Sequence, residues 1–186
     1  MVSSRILIRF AVLPLLILAG CQTWISGGAT YTAKDKAYSV PVPAGWHYAT
    51  RLGPAVLATR DGLALQTVAV EGKALDKALA NSKRTLTPGM APYELAEVVL
   101  DDLRSNRDLT GLEVIANEPA AVGGQGGFKV TLAYRTADRL RLSETLYGVI
   151  HGGKLWTLRY TAPTRHYHAR DLATFEEMVA GFRFGA

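Results

Sequence analysis

One cysteine in 186 residues is the first thing this sequence is short of. That scarcity excludes an internal disulfide and any metal site built on several thiolates, so a folded domain must stand on its hydrophobic core alone. Long apolar runs are missing too. The run from Phe10 to Leu18 falls short of the roughly 20 apolar residues that a permanent membrane helix needs. Basic charge is in modest excess at +5, and Arg5 and Arg9 supply two of those charges. Without them the surplus is too small for a nucleic-acid surface, so no nucleic-acid partner is expected. Neither a Gly-x-Ser-x-Gly elbow nor a His-Glu-x-x-His helix is present, and hence no assembled nucleophile or metalloprotease. His166 and His168 lie two apart and so point different ways on a helix. They are expected at the surface, and His47 and His151 sit beside turns without an identifiable partner. No cofactor and no metal are expected, and the chain is not expected to be an enzyme.

What is there begins with Leu18-Ala19-Gly20-Cys21. Behind a short basic start and an apolar segment, small residues precede a cysteine where a secretory signal would end. This stretch resembles the lipobox of bacterial lipoproteins. The resemblance implies that residues 1–20 are a cleaved signal peptide and that Cys21 becomes the lipidated N-terminus, carrying a diacylglycerol thioether and an N-acyl chain such as palmitate. The mature chain then has 166 residues, enough for a single domain with a real core. In Gram-negative lipoproteins an Asp after the cysteine commonly retains the protein in the inner membrane. Gln22 is not Asp, and the resemblance therefore implies the outer membrane, on its periplasmic face. Residues 21–36 are small and polar, include Gly27-Gly28 and lack periodicity. They are expected to form a flexible tether reaching on the order of 20 Å, with the domain spanning 37–186.

Within the domain, Tyr38 to Pro43 alternates apolar with small residues, and its two prolines point to a sheet edge. Pro54 to Arg60 and Leu63 to Glu71 flank Asp61-Gly62, a pair suited to a type I′ hairpin turn. Gly72 to Met90 reads as a loop with one helical turn near Leu75. Pro92, Ala96, Val99, Leu100 and Leu103 share a helical face opposite Glu94, Glu97, Asp101 and Asp102, which predicts a helix over 92–105 with Pro92 in its first turn. Four strands follow, over 112–116, 128–135, 140–150 and 155–162, with two-residue turns at Ala137-Asp138 and Gly152-Gly153. Asp171 to Gly181 predicts a last helix, with Leu172, Phe175, Met178, Val179 and Phe182 on one stripe and Gly181 as its C-cap.

The stretch Tyr38 to Trp46, the helix with Glu94-Leu95-Ala96, Glu118-Pro119-Ala120 leading into Gly123-Gly124-Gln125-Gly126-Gly127-Phe128, and the final helix together resemble a PsbP-like domain. That fold is shared by the photosystem II extrinsic protein, a Ran-binding transport factor and assorted bacterial envelope lipoproteins. The resemblance covers most of residues 31–184 and rests on turn glycines, prolines and core aromatics. It implies an α+β fold, a central antiparallel sheet flanked by helices as an α/β/α sandwich, and usually a non-enzymatic binding role. It transfers no functional residue. The expected function is a membrane-anchored accessory or binding module of the cell envelope, with the membrane and other envelope proteins as partners. A small-ligand carrier and an envelope enzyme with an unidentified site are the alternatives.

Two-residue turns in both late hairpins place Phe128, Val130, Leu132, Tyr134, Tyr147, Val149, Trp156, Leu158 and Tyr160 on one face. Lys129, Arg135, Glu144 and Arg159 fall on the other, with Glu144 diagonal to Lys129 and Arg159. That cluster reads either as a structural ion network, the commoner case, or as a polar pocket for an anionic ligand. The glycine run 123–127 leads into a strand rather than a helix. It is therefore a turn or a close backbone approach and not a phosphate loop.

Overall fold

The computed structural model describes residues 24–185, so the lipobox, Cys21 and Gln22 lie outside the described residues. The main sheet has eight antiparallel strands. They are β1 (Ile25–Ser26), β4 (His47–Ala49), β5 (Val56–Thr59), β6 (Thr67–Ala74), β7 (Thr110–Val122), β8 (Gln125–Arg135), β9 (Arg141–His151) and β10 (Lys154–Pro163), in the spatial order β1-β4-β5-β6-β10-β9-β8-β7. A second, three-stranded sheet joins β2 (Ala29–Thr32), β3 (Tyr38–Val42) and β11 (Arg183–Phe184), with β3 in the middle. Two helices complete the fold, α1 (Pro92–Arg104) and α2 (Tyr167–Gly181).

Alternation along the strands decides which helix lies on which face. Phe128, Val130, Leu132, Leu146 and Leu155 pack with Leu95, Val99, Leu100 and Leu103 of α1. The intervening Tyr147, Val149, Trp156, Leu158 and Tyr160 pack with Phe175, Met178 and Val179 of α2 and with Tyr38, Val40 and Val42 of the small sheet. The sandwich expected from the sequence is therefore only partly realised. One outer layer is α1 alone, and the other is α2 together with a sheet.

Several expectations need correction. Residues 21–36 are not a free tether as far as they are described. Ile25 pairs with Tyr48 and Tyr31 with Val40, and the Gly27 amide donates to the Trp46 carbonyl at 2.7 Å. These strands are too short and polar to carry a periodic signal of their own. Strand β3 is internal rather than an edge. Pro41 is tolerated because β11 pairs only with Tyr38 and Ser39, which leaves the prolyl nitrogen facing no ladder. The hairpin β5–β6 forms, but over a seven-residue connection rather than at Asp61-Gly62. Thr59 Oγ1 donates to the Gln66 carbonyl and the Gln66 side-chain oxygen accepts from the Asp61 amide, both at 2.8 Å, closing that loop. Strand β6 also runs on to Ala74, with a short 3₁₀ turn at Leu75–Lys77.

The helix from Pro92 is as expected, with proline in its first turn. Gly181 is not a left-handed cap. The helix runs through it into extended Phe182, and its lack of a side chain makes room for Pro41, whose Cγ would lie 2.5 Å from an added Cβ. A two-residue strand, not the helix, ends the described chain. The turn Gly123-Gly124 has both residues in the left-handed region, φ 57° and 80°, and a methyl on Gly127 would run into the Gly148 carbonyl. The close backbone approach expected of that glycine run is there.

Candidate functional site

The side chains singled out in the sequence do not all meet. Gly152-Gly153 is a two-residue turn with His151 opposite Lys154, as expected, and Trp156 lies opposite Val149. The turn before it is longer. Arg135 pairs with Arg141, and the five residues between them turn through Arg139 at φ 62°. Strand β8 is thereby shifted by one residue against β9, which moves Phe128, Val130, Leu132 and Tyr134 onto the α1 face and Lys129 and Arg135 onto the α2 face. Lys129 bonds Glu176 of α2 at 2.6 Å. That bond, against the opposing cost of burial, raises the Lys129 pKa. Arg135 donates to the Arg139 carbonyl at 3.2 Å at the turn end of the hairpin. Of the four expected cluster members, only Glu144 and Arg159 come together.

Their meeting place is the uncovered half of the α1 face. Strand β9 is buried on both faces over most of its length, but β6, and β10 beyond Leu155, bury only the face toward α2 and present Ala69, Glu71, Lys73, Thr157 and Arg159 toward α1. Helix α1 packs over β7, β8 and β9 and stops short of these. The result is a cleft of about 280 Å³ whose polar lining includes Glu71, Lys73, Asn81, Asp102, Thr157 and Arg159.

At its floor, Arg159 Nε lies 3.2 Å from Glu144 Oε1. The Arg159 side chain is 37 % exposed and that of Glu144 is 1 % exposed. Glu144 Oε2 accepts from Tyr134 at 3.0 Å and from Thr161 at 3.3 Å, while Oε1 receives no aligned donor. Burial, reinforced by the Glu144 charge, raises the Tyr134 pKa and keeps that phenol a donor. On the rim, Lys73 pairs with Glu71 at 2.9 Å.

The wall is pinned by Asp102, expected on the solvent face of α1 but in fact buried. Burial raises its pKa, yet the Asn81 and Ser82 amides, at 2.6 and 2.8 Å, outweigh that and lower it overall. The charges of the cleft are thus already matched within the protein. What it offers a ligand is a polar, open surface.

Two buried polar groups escaped the sequence reading. His168 is buried rather than exposed. It stacks on Tyr160 at 5.2 Å and faces Thr145 Oγ1 at 3.2 Å, and burial lowers its pKa. Thr145 is fully buried, and the pair lies between β9 and α2. Asp171 binds Arg60 at 3.0 Å, Arg170 Nε at 2.9 Å and the Gln66 amide. Burial would raise its pKa, but these donors lower it. The available signal was position. His168, Asp171, Phe175 and Met178 lie on one helical stripe, where a polar residue must be buried with a partner. His151, without an identifiable partner in the sequence, stacks on Phe184 at 4.0 Å.

Among the described residues no group of three or more His, Cys, Asp or Glu is placed to hold a metal, and no helix is long and apolar enough to cross a membrane. No protein-family model matches the chain, and no curated protein matches it in sequence. Solved structures do match in fold. The solution structure of cyanobacterial PsbP (CyanoP) from Synechocystis sp. PCC 6803 is similar with a TM-score of 0.53 at 17 % identity, over 89 % of this chain and 95 % of that one. The Ran-binding protein Mog1p of Saccharomyces cerevisiae gives 0.55 at 12 % identity, over 83 % and 94 %. LpqN of Mycobacterium tuberculosis, described as involved in cell envelope biogenesis, gives 0.52 at 12 % identity, over 85 % and 90 %. At such identities the likeness concerns the fold alone, and the fold of this chain is PsbP-like.

Proposed function

We propose that this chain is a lipid-anchored module of the cell envelope that binds a partner protein through the polar cleft beside α1 and carries out no catalysis of its own. The observation that carries the binding reading is the state of the charges in that cleft. Arg159 is matched by Glu144, Lys73 by Glu71, and Asp102 by backbone amides. Groups that act on a substrate need free or strongly perturbed charge in a site that excludes water. An open surface of internally paired groups suits hydrogen bonding to a polar segment of another protein instead. Similarity in fold to an envelope biogenesis protein is in keeping with the setting. Cys21, directly after Leu18-Ala19-Gly20, supplies the anchor, and Gln22 directs the protein to the outer membrane. With strand spacings of about 4.8 Å, β6 and β10 lie roughly 15–20 Å from β1, where the chain enters the sheet. A partner seated there is held close to the membrane.

Crosslinked envelopes test this. The native protein should co-purify with a specific partner, and Thr157→Arg, which fills the cleft, should lose that partner while keeping its melting temperature. Cys21→Ser should move the protein into the soluble fraction, and density separation should recover the native form with the outer membrane. Undiminished capture by Thr157→Arg would refute the cleft, and recovery chiefly with the inner membrane would refute the location.

A further inference from the structure

The corner of the molecule where the chain enters the main sheet has features that the cleft does not use. Six large apolar side chains are well exposed in the described structure. Three of them, Ile25 (45 %), Leu52 (44 %) and Leu63 (46 %), belong to β1 or to the connections on either side of β5. Strand β1 is the outermost strand at this end and contributes only two residues. Antiparallel pairing of Ile25 with Tyr48 carries the preceding residue, Trp24, toward Ala49 and the loop holding Arg51 and Leu52. Trp24 and Leu63, with His47 and Arg60, line a shallow, open hollow of about 580 Å³. The other two tryptophans, Trp46 and Trp156, are core residues, whereas Trp24 is half-buried at the sheet edge.

The chain outside this corner supplies the occupant. Cys21 is three residues before Trp24, and at about 3.5 Å per extended residue that gap spans at most about 10 Å. If Cys21 carries acyl chains, the lipid headgroups lie within reach of Trp24. An indole, with an apolar body and one N–H donor, suits the boundary between headgroups and acyl chains, and Arg51 in the neighbouring loop matches the anionic part of a bilayer surface. The other charges nearby are paired among themselves, Arg60 with Asp171 and Arg170 with Asp61.

We infer that the β1 corner docks on the phospholipid surface, with Trp24, Ile25, Leu52 and Leu63 inserted into the interface. The inference rests on the lipid anchor proposed above and adds to it a fixed orientation. The domain does not swing on a leash but lies with this edge of its sheet against the bilayer, and α1 and the cleft look sideways along the membrane.

The test uses the full-length protein purified from membranes and reconstituted into phosphatidylcholine–phosphatidylglycerol vesicles whose acyl chains carry bromine at shallow or deep positions. Mass spectrometry of the Cys21 peptide and vesicle flotation report the anchor, and tryptophan quenching reports docking. Shallow bromines should quench emission more strongly than deep ones, and Trp24→Phe should abolish the quenched component. Leu63→Asp, at an exposed site, should weaken quenching without changing flotation or melting. An acylated protein that floats but whose Trp24 emission is unaffected by bromolipid would overturn docking and leave the anchor standing. An unacylated protein that fails to float would overturn the anchor and docking together.

Discussion

The two faces of the eight-stranded sheet are closed to different degrees. The face toward α2 is sealed by an aromatic layer in which Tyr38 stacks 5.8 Å from Phe182 and lies 5.1 Å from Trp156, and Phe175 meets Tyr147 and Tyr160 at 5.9 and 5.5 Å. Elements from both ends of the described chain, β2, β3, α2 and β11, combine to cover it. The opposite face has one helix, and α1 is wide enough for β7, β8 and β9 only. The lesson is that coverage, not strand composition alone, locates the cleft. Where α1 stops, the α1-facing residues of β10 and β6 turn from leucine to Thr157, Arg159, Glu71 and Lys73.

Strand β10 allows the comparison to be broken from both sides, since Trp156 and Arg159 project from it to opposite faces. Trp156→Ala should have the largest effect, about 3–5 kcal/mol lost by opening the aromatic layer. Chemical denaturation should show the loss as a lower midpoint, and an unchanged midpoint would mean that this layer is not tightly closed. Arg159→Ala should cost less, about 2 kcal/mol, because it strips the counter-charge from a buried carboxylate in a region otherwise open to water. Glu144→Gln introduced beside it should restore much of that loss, and no recovery in the double variant would argue against a charge effect.

The smallest effect is a pH dependence seated on the sealed face. Burial lowers the pKa of His168, so the unfolded chain binds a proton that the folded chain refuses. Stability is then complete above the unfolded value near 6.5 and falls as pH drops below it, by up to about 1.4 kcal/mol per pH unit until the folded value is reached. Asp102 and Asp171, with lowered pKa values, contribute only above the ordinary carboxylate range and lose their effect at lower pH. His168→Gln should therefore flatten the stability profile between pH 5 and 7 while leaving the acid limb in place. An unchanged profile in that window would sink the assignment.

Much of this was legible in the residues themselves. The periods of α1 and α2, the Gly152-Gly153 turn and the alternation in β9 and β10 are local signals, and each element formed where its signal placed it to within a few residues. The failures were matters of pairing. Thr136 to Leu140 contains no Asn-Gly or Gly-Gly pair to mark its length, and Arg139 takes the left-handed conformation that a glycine would have advertised. One residue of slip there sent Lys129 and Arg135 to the wrong face and left Glu144 with Arg159 alone. Ile25–Ser26 and Ala29–Thr32 have no periodic signal because their strand character comes from partners at Tyr48 and Val40. Asp102 and His168 looked like solvent residues until their donors and neighbours, distant in sequence, were in place.

Strand β3 has a consequence in time as well as in space. It is held on one side by β2, made just before it, and on the other by β11, where Ser39 pairs with Arg183 and Tyr38 with Phe184. A chain emerging from its N-terminus can assemble the hairpins of the main sheet in passing, because their partners are near in sequence. The small sheet waits for residues 182–184, and Tyr38 has no Phe182 to stack on until they emerge. Arrival of β11 and sealing of the aromatic face are therefore one event, and a chain cut before Phe182 stays open on the side that matters most for its stability.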